Sequence, residues 1–324
     1  LLTAIRTDGQ HLPKYRYPSA ESLYPVQLYI ELSKPIGDIP CGFYFHNQVK
    51  HSLELITDGV QQQNMNIRLH LVGRSSVITP LYGTKLGSQL CEIETGYIIG
   101  LLEQEICKMG WTLSRIICSQ FDERQALNLT DNDTYHCFEL SPVEQRPSDN
   151  DNYPKCIVYL KSKKTIVDQW FIYEREGMAL HPLNIDSQTS ERNTLSLYFD
   201  DVDETRIIFD DCQCAIFFAG ESSHRLNTGF ISNLFMNYAI EVNVGMCPIG
   251  ARSSLPVTIN QTLDRVLNEF ISNREHKILH VLLVGKINEE QKYERDISKV
   301  SKHPHWSEMR YGALVSHAPQ KTTL

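Results

Sequence analysis

Apolar and polar positions alternate through VQLYIEL (26–32), the period of a strand with one buried face. CGFYFHN (41–47), HSLELI (51–56) and IRLHLVG (67–73) predict three more strands, separated by turn signals. The apolar period then lengthens, and an amphipathic helix is predicted from about Glu92 to Met109, followed by the strand-like WTLSRIIC and DTYHCFEL. From Cys156 the same order returns: CIVYLK, QWFIYER, MALHPL and CAIFFAG, a helix from about Asn227 to Val244, then GMCPIG and KILHVLLVG. Thr95-Gly96-Tyr97-Ile98 recurs 133 residues later as Thr228-Gly229-Phe230-Ile231, and at the same offset Gly110 falls on Asn243. His136 falls on His280 at an offset of 144, so the two copies differ by loop insertions. Seven elements repeated in one order describe an internal duplication.

Strands, a long helix and strands again give an α+β class, each half an antiparallel sheet under helices. The halves are expected at 1–141 and 156–291, joined by a linker at 142–155 inside the acidic, proline-containing SPVEQRPSDNDNYPK, with a C-terminal tail at 292–324. Two copies of a unit in one chain pack as a homodimer would, so a pseudo-dimer is expected, with any interface site drawing on both halves. The chain opens on LLTAIR, in what reads as the middle of a helix, and is taken to be a piece of something longer.

Composition narrows the function. Of 324 residues, 41% are hydrophobic and 22% charged, as in a globular protein, and 39 acidic against 31 basic residues leave a net charge of -8. That balance argues against a nucleic-acid surface, which needs clustered Lys and Arg. The longest apolar runs, AIFFAG and HVLLVG, are too short to cross a bilayer, and no signal peptide stands at the start, so no membrane role is expected. Nine cysteines form no CxxC pair, which points to reduced thiols in a cytoplasmic protein; Cys212 and Cys214 share a strand face as small buried hydrophobes. The 12 histidines form no HExxH, HPHW (303–306) lies in a polar tail, and DNDTYH lacks the rest of a calcium loop, so no metal site is expected. No GxGxxG or phosphate-loop motif indicates a nucleotide site.

KYRYPSAESLYPVQLYIEL (14–32), GFYFHNQVKHSLELI, SSVITPLYG, EIETGYIIGLL, GMCPIG and ILHVLLVG together resemble the FMN-dependent, nitroreductase-like oxidases of the azoline dehydrogenase group. These are oxidase domains of nonribosomal peptide synthetases and related enzymes that aromatise thiazolines and oxazolines. The resemblance covers nearly the whole chain and implies a nitroreductase-like fold, bound FMN and oxidation of a thiazoline or oxazoline on a carrier-tethered peptide, with neighbouring synthetase domains as partners. The alternative is a flavin-free relic serving as a structural or docking domain.

The resemblance assigns FMN contacts to Arg16, Pro18, Ser19, Ala20 and Leu23 in the first half and to Gly245, Cys247, Pro248, Ile249 and Gly250 in the second. Arg16 offers a planar fork to a phosphate or flavin carbonyl, Ser19 a hydroxyl, and Pro18 and Ala20 little bulk. Gly245 and Gly250 are expected to bring backbone N–H groups near the ligand, with Pro248 stiffening a turn between them. The first half keeps the PSA turn but has GWTLSRI for the second motif; the second half keeps GMCPIG but begins NYPKCIVYL. One complementary set therefore survives, for one flavin. Glu21-Ser22 stands where the family has Gly-Gly or Gly-Ala, the arginine-rich phosphate grip would precede Leu1, and only Arg146 to Ser148 stands near its place in the second half. Lys14 and Tyr15 are the candidates for taking the ring-carbon proton, a step needing a base within hydrogen-bond reach.

Overall fold

In a computed structural model of the protein, the described residues are 15–48, 50–59, 66–117, 120–143, 153–161, 168–175, 177–183, 208–250 and 276–287. Lys14, Arg146 to Ser148 and the HPHW tail lie outside them. The described residues divide into two compact units, 15–143 and 153–287.

In the first unit, β1 (Val26–Leu32), β2 (Gly42–Asn47), β3 (Ser52–Asp58), β4 (Ile67–Gly73), β5 (Trp111–Ile116) and β6 (Thr134–Pro142) form one sheet in the order β3-β2-β1-β4-β6-β5. Every neighbouring pair is antiparallel. In the second, β7 (Lys155–Leu160), β8 (Gln169–Glu174), β9 (Ala179–Leu183), β10 (Cys214–Gly220), β11 (Val244–Gly250) and β12 (Lys277–Lys286) form an antiparallel sheet in the order β11-β12-β10-β7-β8-β9. Read backwards, that is the first sheet strand for strand, so the repeated pattern in the sequence is one topology used twice. The register agrees as well: His136 lies opposite Leu71 on β4, and its counterpart His280 lies opposite Phe218 on β10.

Each sheet carries one long helix. In the second unit this is α3 (Arg225–Glu241). In both helices the recurrent threonine is buried and its hydroxyl donates to the carbonyl four residues back, Thr95 to Cys91 at 2.9 Å and Thr228 to His224 at 2.8 Å. Both helices are left through a left-handed residue, Gly110 (φ 79) and Asn243 (φ 58), the residue types that adopt this conformation most readily.

The first helix, α1, spans Ser75–Ile106 and so begins 17 residues before the position the hydrophobic period marks. Gly83 (φ 69, ψ 170) breaks it into two segments, and Pro80 lies in the first, so the sequence before Glu92 lacks a continuous helical signature. Its cap is also remote. Ser75 N–H donates to Asp133 Oδ1 at 2.9 Å, from 58 residues away. At the other end Glu103 accepts from the Thr112 hydroxyl (2.5 Å) and the Leu113 N–H (2.9 Å), locking the helix exit onto β5. A short helix α2 (Gln120–Ala126) leads into Leu127, which packs with Tyr29, Phe45 and Val72.

Arg74, between β4 and α1, is 3% exposed and uses all five donors: Gln27 Oε1 (2.9 Å), the Asn128 carbonyl (3.1 Å), Asp133 Oδ2 (3.1 Å), the Tyr29 hydroxyl (2.8 Å) and the Leu127 carbonyl (2.9 Å). Burial would raise the Asp133 carboxyl, but the N–H groups of Thr130 and Ser75 and the Arg74 charge outweigh it and hold the pKa below the usual value. A depressed carboxyl stabilises the fold fully above its unfolded pKa, and the contribution is lost as pH falls through the folded one. Asp133→Ala, which leaves a buried guanidinium unpaired, should cost about 3–5 kcal/mol in urea denaturation at neutral pH, with the deficit narrowing under acid.

Candidate functional site

The stretch from Tyr15 to Pro25 folds as a tight turn leading into β1. Ser19 is extended (φ -139, ψ 148) and Ala20–Ser22 make a single 3-10 turn. Glu21 (φ 48), Ser22 (φ 56) and Tyr24 (φ 49) are all left-handed, a conformation that costs a side-chain-bearing residue roughly 1–2 kcal/mol. Glu21-Ser22 stands where Gly-Gly or Gly-Ala is expected from the resemblance, and at Glu21 the backbone keeps a conformation that glycine adopts readily. The Glu21 side chain bonds to Tyr82, one residue before the helix break, and adds to the rise that partial burial gives the pKa of that phenol.

The turn is anchored from below. Tyr24 N–H donates to Ser19 Oγ at 2.9 Å. The Ser19 hydroxyl in turn bonds to Glu94, whose Oε1 also accepts the Val26 N–H at 3.3 Å. Glu94 is 4% exposed, and burial lifts its pKa to about 8 against the smaller opposing effects of those two hydrogen bonds. Three tyrosines close over the anchor: Tyr15 stacks on Tyr17 with ring centroids 5.8 Å apart, and Tyr24 meets both edge-on at 4.4 and 5.6 Å. Burial, and after it the Glu94 charge, pushes the Tyr17 phenol well above 10, and burial pushes Tyr24 to about 12. The Tyr24 hydroxyl accepts the Tyr15 N–H at 3.2 Å, so the cluster is tied by a backbone bond as well as by packing.

Of the expected site residues, Tyr15 is therefore inside this cluster, 7% exposed. Ser19 is bonded to protein on both sides. Pro18, Ala20 and Leu23 are half-buried at the turn. Arg16 is also half-buried, and its guanidinium makes no hydrogen bond or ion pair among the described residues. Lys14 lies outside the described residues.

GMCPIG corrects one expectation. It forms no turn: Gly245 to Gly250 run as strand β11, paired with β12 from Val244 opposite Lys286 to Gly250 opposite His280. Pro248 is accommodated because β11 ends the sheet order, and an edge strand tolerates a missing donor. Cys247 and Ile249 point to the face of the sheet where Trp170, Phe209, Phe217 and Leu283 pack. Gly245 lies so close to Ile287 that an added Cβ would meet its side chain at 2.3 Å.

Glu94, Tyr17 and Tyr24 were not singled out by the sequence motifs. One signal was there: at the helix offset Glu94 falls on Asn227, so the carboxylate belongs only to the copy that carries the PSA turn. The eight cysteines among the described residues are free thiols, with burial raising Cys214 to about 12, and no cluster of metal-binding side chains occurs among those residues. No helix among them is long and apolar enough to cross a membrane.

No protein-family model matches the chain. Two curated relatives do: indigoidine synthase of Streptomyces lavendulae, 35% identical over 112 residues (33% of this chain), and that of Dickeya dadantii, 30% identical over 141 residues (43% of this chain). The matched segments are 9% of the length of each relative. Among solved structures, an Anabaena variabilis protein assigned as a nitroreductase superposes with a TM-score of 0.65 over 89% of this chain and 85% of its own, at 10% identity. The fold is accordingly nitroreductase-like, built from two tandem copies of one α+β unit.

The left-handed turn gives a direct test. Glu21→Gly and Glu21→Ala both delete the bond to Tyr82, but only alanine retains the strained backbone. The glycine variant should be the more stable of the two by about 1 kcal/mol in thermal or urea unfolding; equal stabilities would mean that the turn relaxes when its side chain is removed.

Proposed function

We propose that the chain is an FMN-dependent oxidoreductase domain of a natural-product assembly line, and that it oxidises a carrier-tethered thiazoline or oxazoline to the aromatic azole. The observation that carries this is Arg16: a half-buried arginine, beside a turn of small residues, whose guanidinium has no acceptor among the described residues. Such a group is available to an anion or a carbonyl, which its planar donors suit. The nitroreductase-like fold and the two synthase-named relatives, each far longer than this chain, support a flavin and an assembly-line setting. Neighbouring synthetase domains and the carrier protein are the proposed partners, and the cytoplasm is the proposed location.

In this reading Arg16 holds the phosphate or a ring carbonyl, and Pro18, Ala20 and Leu23 keep the approach to the turn low. The proposed set also takes in Ser19 from the turn and Gly245, Cys247, Pro248, Ile249 and Gly250 from β11, on the strength of the sequence motifs. Bound FMN would supply a two-electron acceptor. The ring-carbon proton must go to the protein, and Lys14 or Tyr15 is proposed to take it. A buried tyrosine in a stacked cluster has few rotamers to lose, which suits a residue that must hold a fixed distance to a substrate carbon. The second reading is a flavin-free docking domain. What favours it is that the Ser19 hydroxyl is already engaged by Tyr24 and Glu94, with a second carboxylate, Glu21, beside the same turn.

The purified protein should be yellow and release at most one FMN per chain on denaturation. A protein that stays colourless with excess FMN would leave the docking reading standing. Arg16→Ala should weaken FMN binding by about ten- to a hundredfold, the worth of a charge-assisted hydrogen bond. Tyr15→Phe or Lys14→Ala should retain the flavin and slow azole formation by on the order of a hundred- to ten-thousandfold. Carrier-bound thiazoline and an acyclic aminoacyl carrier should be assayed side by side, since turnover of the acyclic substrate alone would move the proposal to a different oxidised group.

A further inference from the structure

The turn that carries Arg16 and Ser19 is fastened to the rest of the first unit through a side chain that is itself titratable. Glu94 projects from the middle of α1, 4% exposed, and its carboxyl reaches the turn twice, at the Ser19 hydroxyl and at the Val26 N–H (3.3 Å) where β1 begins. Ser19 passes the connection on by accepting the Tyr24 N–H at 2.9 Å. Among the described residues no cation acts on this carboxyl: the ionisable groups that face it there are the phenols of Tyr17 and Tyr24 from the turn and the Cys91 thiol from its own helix, all of which burial holds neutral. An ionised Glu94 would thus be a buried, unpaired charge directly beneath the turn, and a fold relieves such a charge either by taking up a proton or by opening to water.

We infer that Glu94, in its neutral form, is the positioning residue that holds the Ser19 turn in the conformation that receives the proposed flavin. The inference rests on the flavin reading for its ligand, but not for the state of the turn. A neutral carboxyl keeps both hydrogen bonds without adding negative charge next to a ligand that brings a phosphate. An ionised one repels that ligand and destabilises its own anchorage. The effect falls in an accessible range because the carboxyl titrates near pH 8. The sign follows from linkage: a group whose folded pKa is raised stabilises the anchored form below its unfolded pKa and loses that contribution as pH rises through the folded one. Tyr17 and Tyr24 remain protonated throughout that window.

The test pairs a ligand measurement with one that needs no ligand. FMN affinity of the wild type should fall about tenfold between pH 7 and pH 9, as the competent fraction falls, while Glu94→Gln binds with a flat profile. In the flavin-free protein the near-ultraviolet circular dichroism of the tyrosine cluster should change with a midpoint near pH 8 and show no such change in Glu94→Gln. Should that variant fail to fold, Ser19→Ala, which cuts the link from Glu94 to Tyr24, should blunt the same dichroism change. Flavin affinity that falls equally in wild type and Glu94→Gln, or a dichroism signal flat across the range in the wild type, overturns the inference. A dichroism transition without flavin binding at any pH instead overturns the flavin reading and leaves Glu94 as the residue that positions the turn.

Discussion

The first unit is organised around the desolvated guanidinium of Arg74. Burying an arginine is tolerable only when every donor finds an acceptor, and here the five acceptors come from β1, from the 127–128 segment and from Asp133. Meeting that requirement fixes three things together: the separation of β1 from β4, the place where α1 begins, and the path of the chain into β6. Glu94 then lies about five helical turns along α1, at the height where β1 starts, and the Ser19 turn inherits its position from it. The candidate site is in this sense downstream of a buried ion pair.

Much of the architecture could be read from the chain because the repeat supplied each element twice. Alternation marked β1 to β4, and the recurrence of Thr95-Gly96-Tyr97-Ile98 located both helices. The misses share a cause. The start of α1 was hidden because its cap is Asp133, a residue no local window contains, and because Gly83 and Pro80 interrupt the period. GMCPIG read as a turn because glycine and proline are turn residues in most contexts, whereas at the end of a sheet the same residues are compatible with a strand. The anchoring role of Glu94 could not be read from spacing, since a carboxylate inside an apolar helix stripe gives no hint of the hydroxyl and N–H that it meets.

The two units also record how a duplicated fold specialises. The shared positions are those that hold the unit together: the threonine bonded back into its helix, the left-handed exit at Gly110 and Asn243, and the histidine of β6 and β12. The positions that differ are chemical. Asn227 replaces Glu94, and the segment leading into β7 has no counterpart of the PSA turn. Without the turn a buried carboxyl would lack the hydroxyl and N–H that it meets in the first copy, so the acid and the turn occur together in one copy and are absent together from the other.

The ends of the sheets carry a different consequence. β11 includes Pro248, and at the equivalent place on β5 the chain has Arg115. Proline withholds a donor from the strand that closes the second sheet, so an extended peptide laid along that border would find its hydrogen-bond ladder interrupted. β5, the last strand of the first sheet among the described residues, contains no proline and so withholds no donor. A substrate or linker that docks by adding a strand would therefore distinguish two borders of the same topology, joining the first sheet and passing over the second.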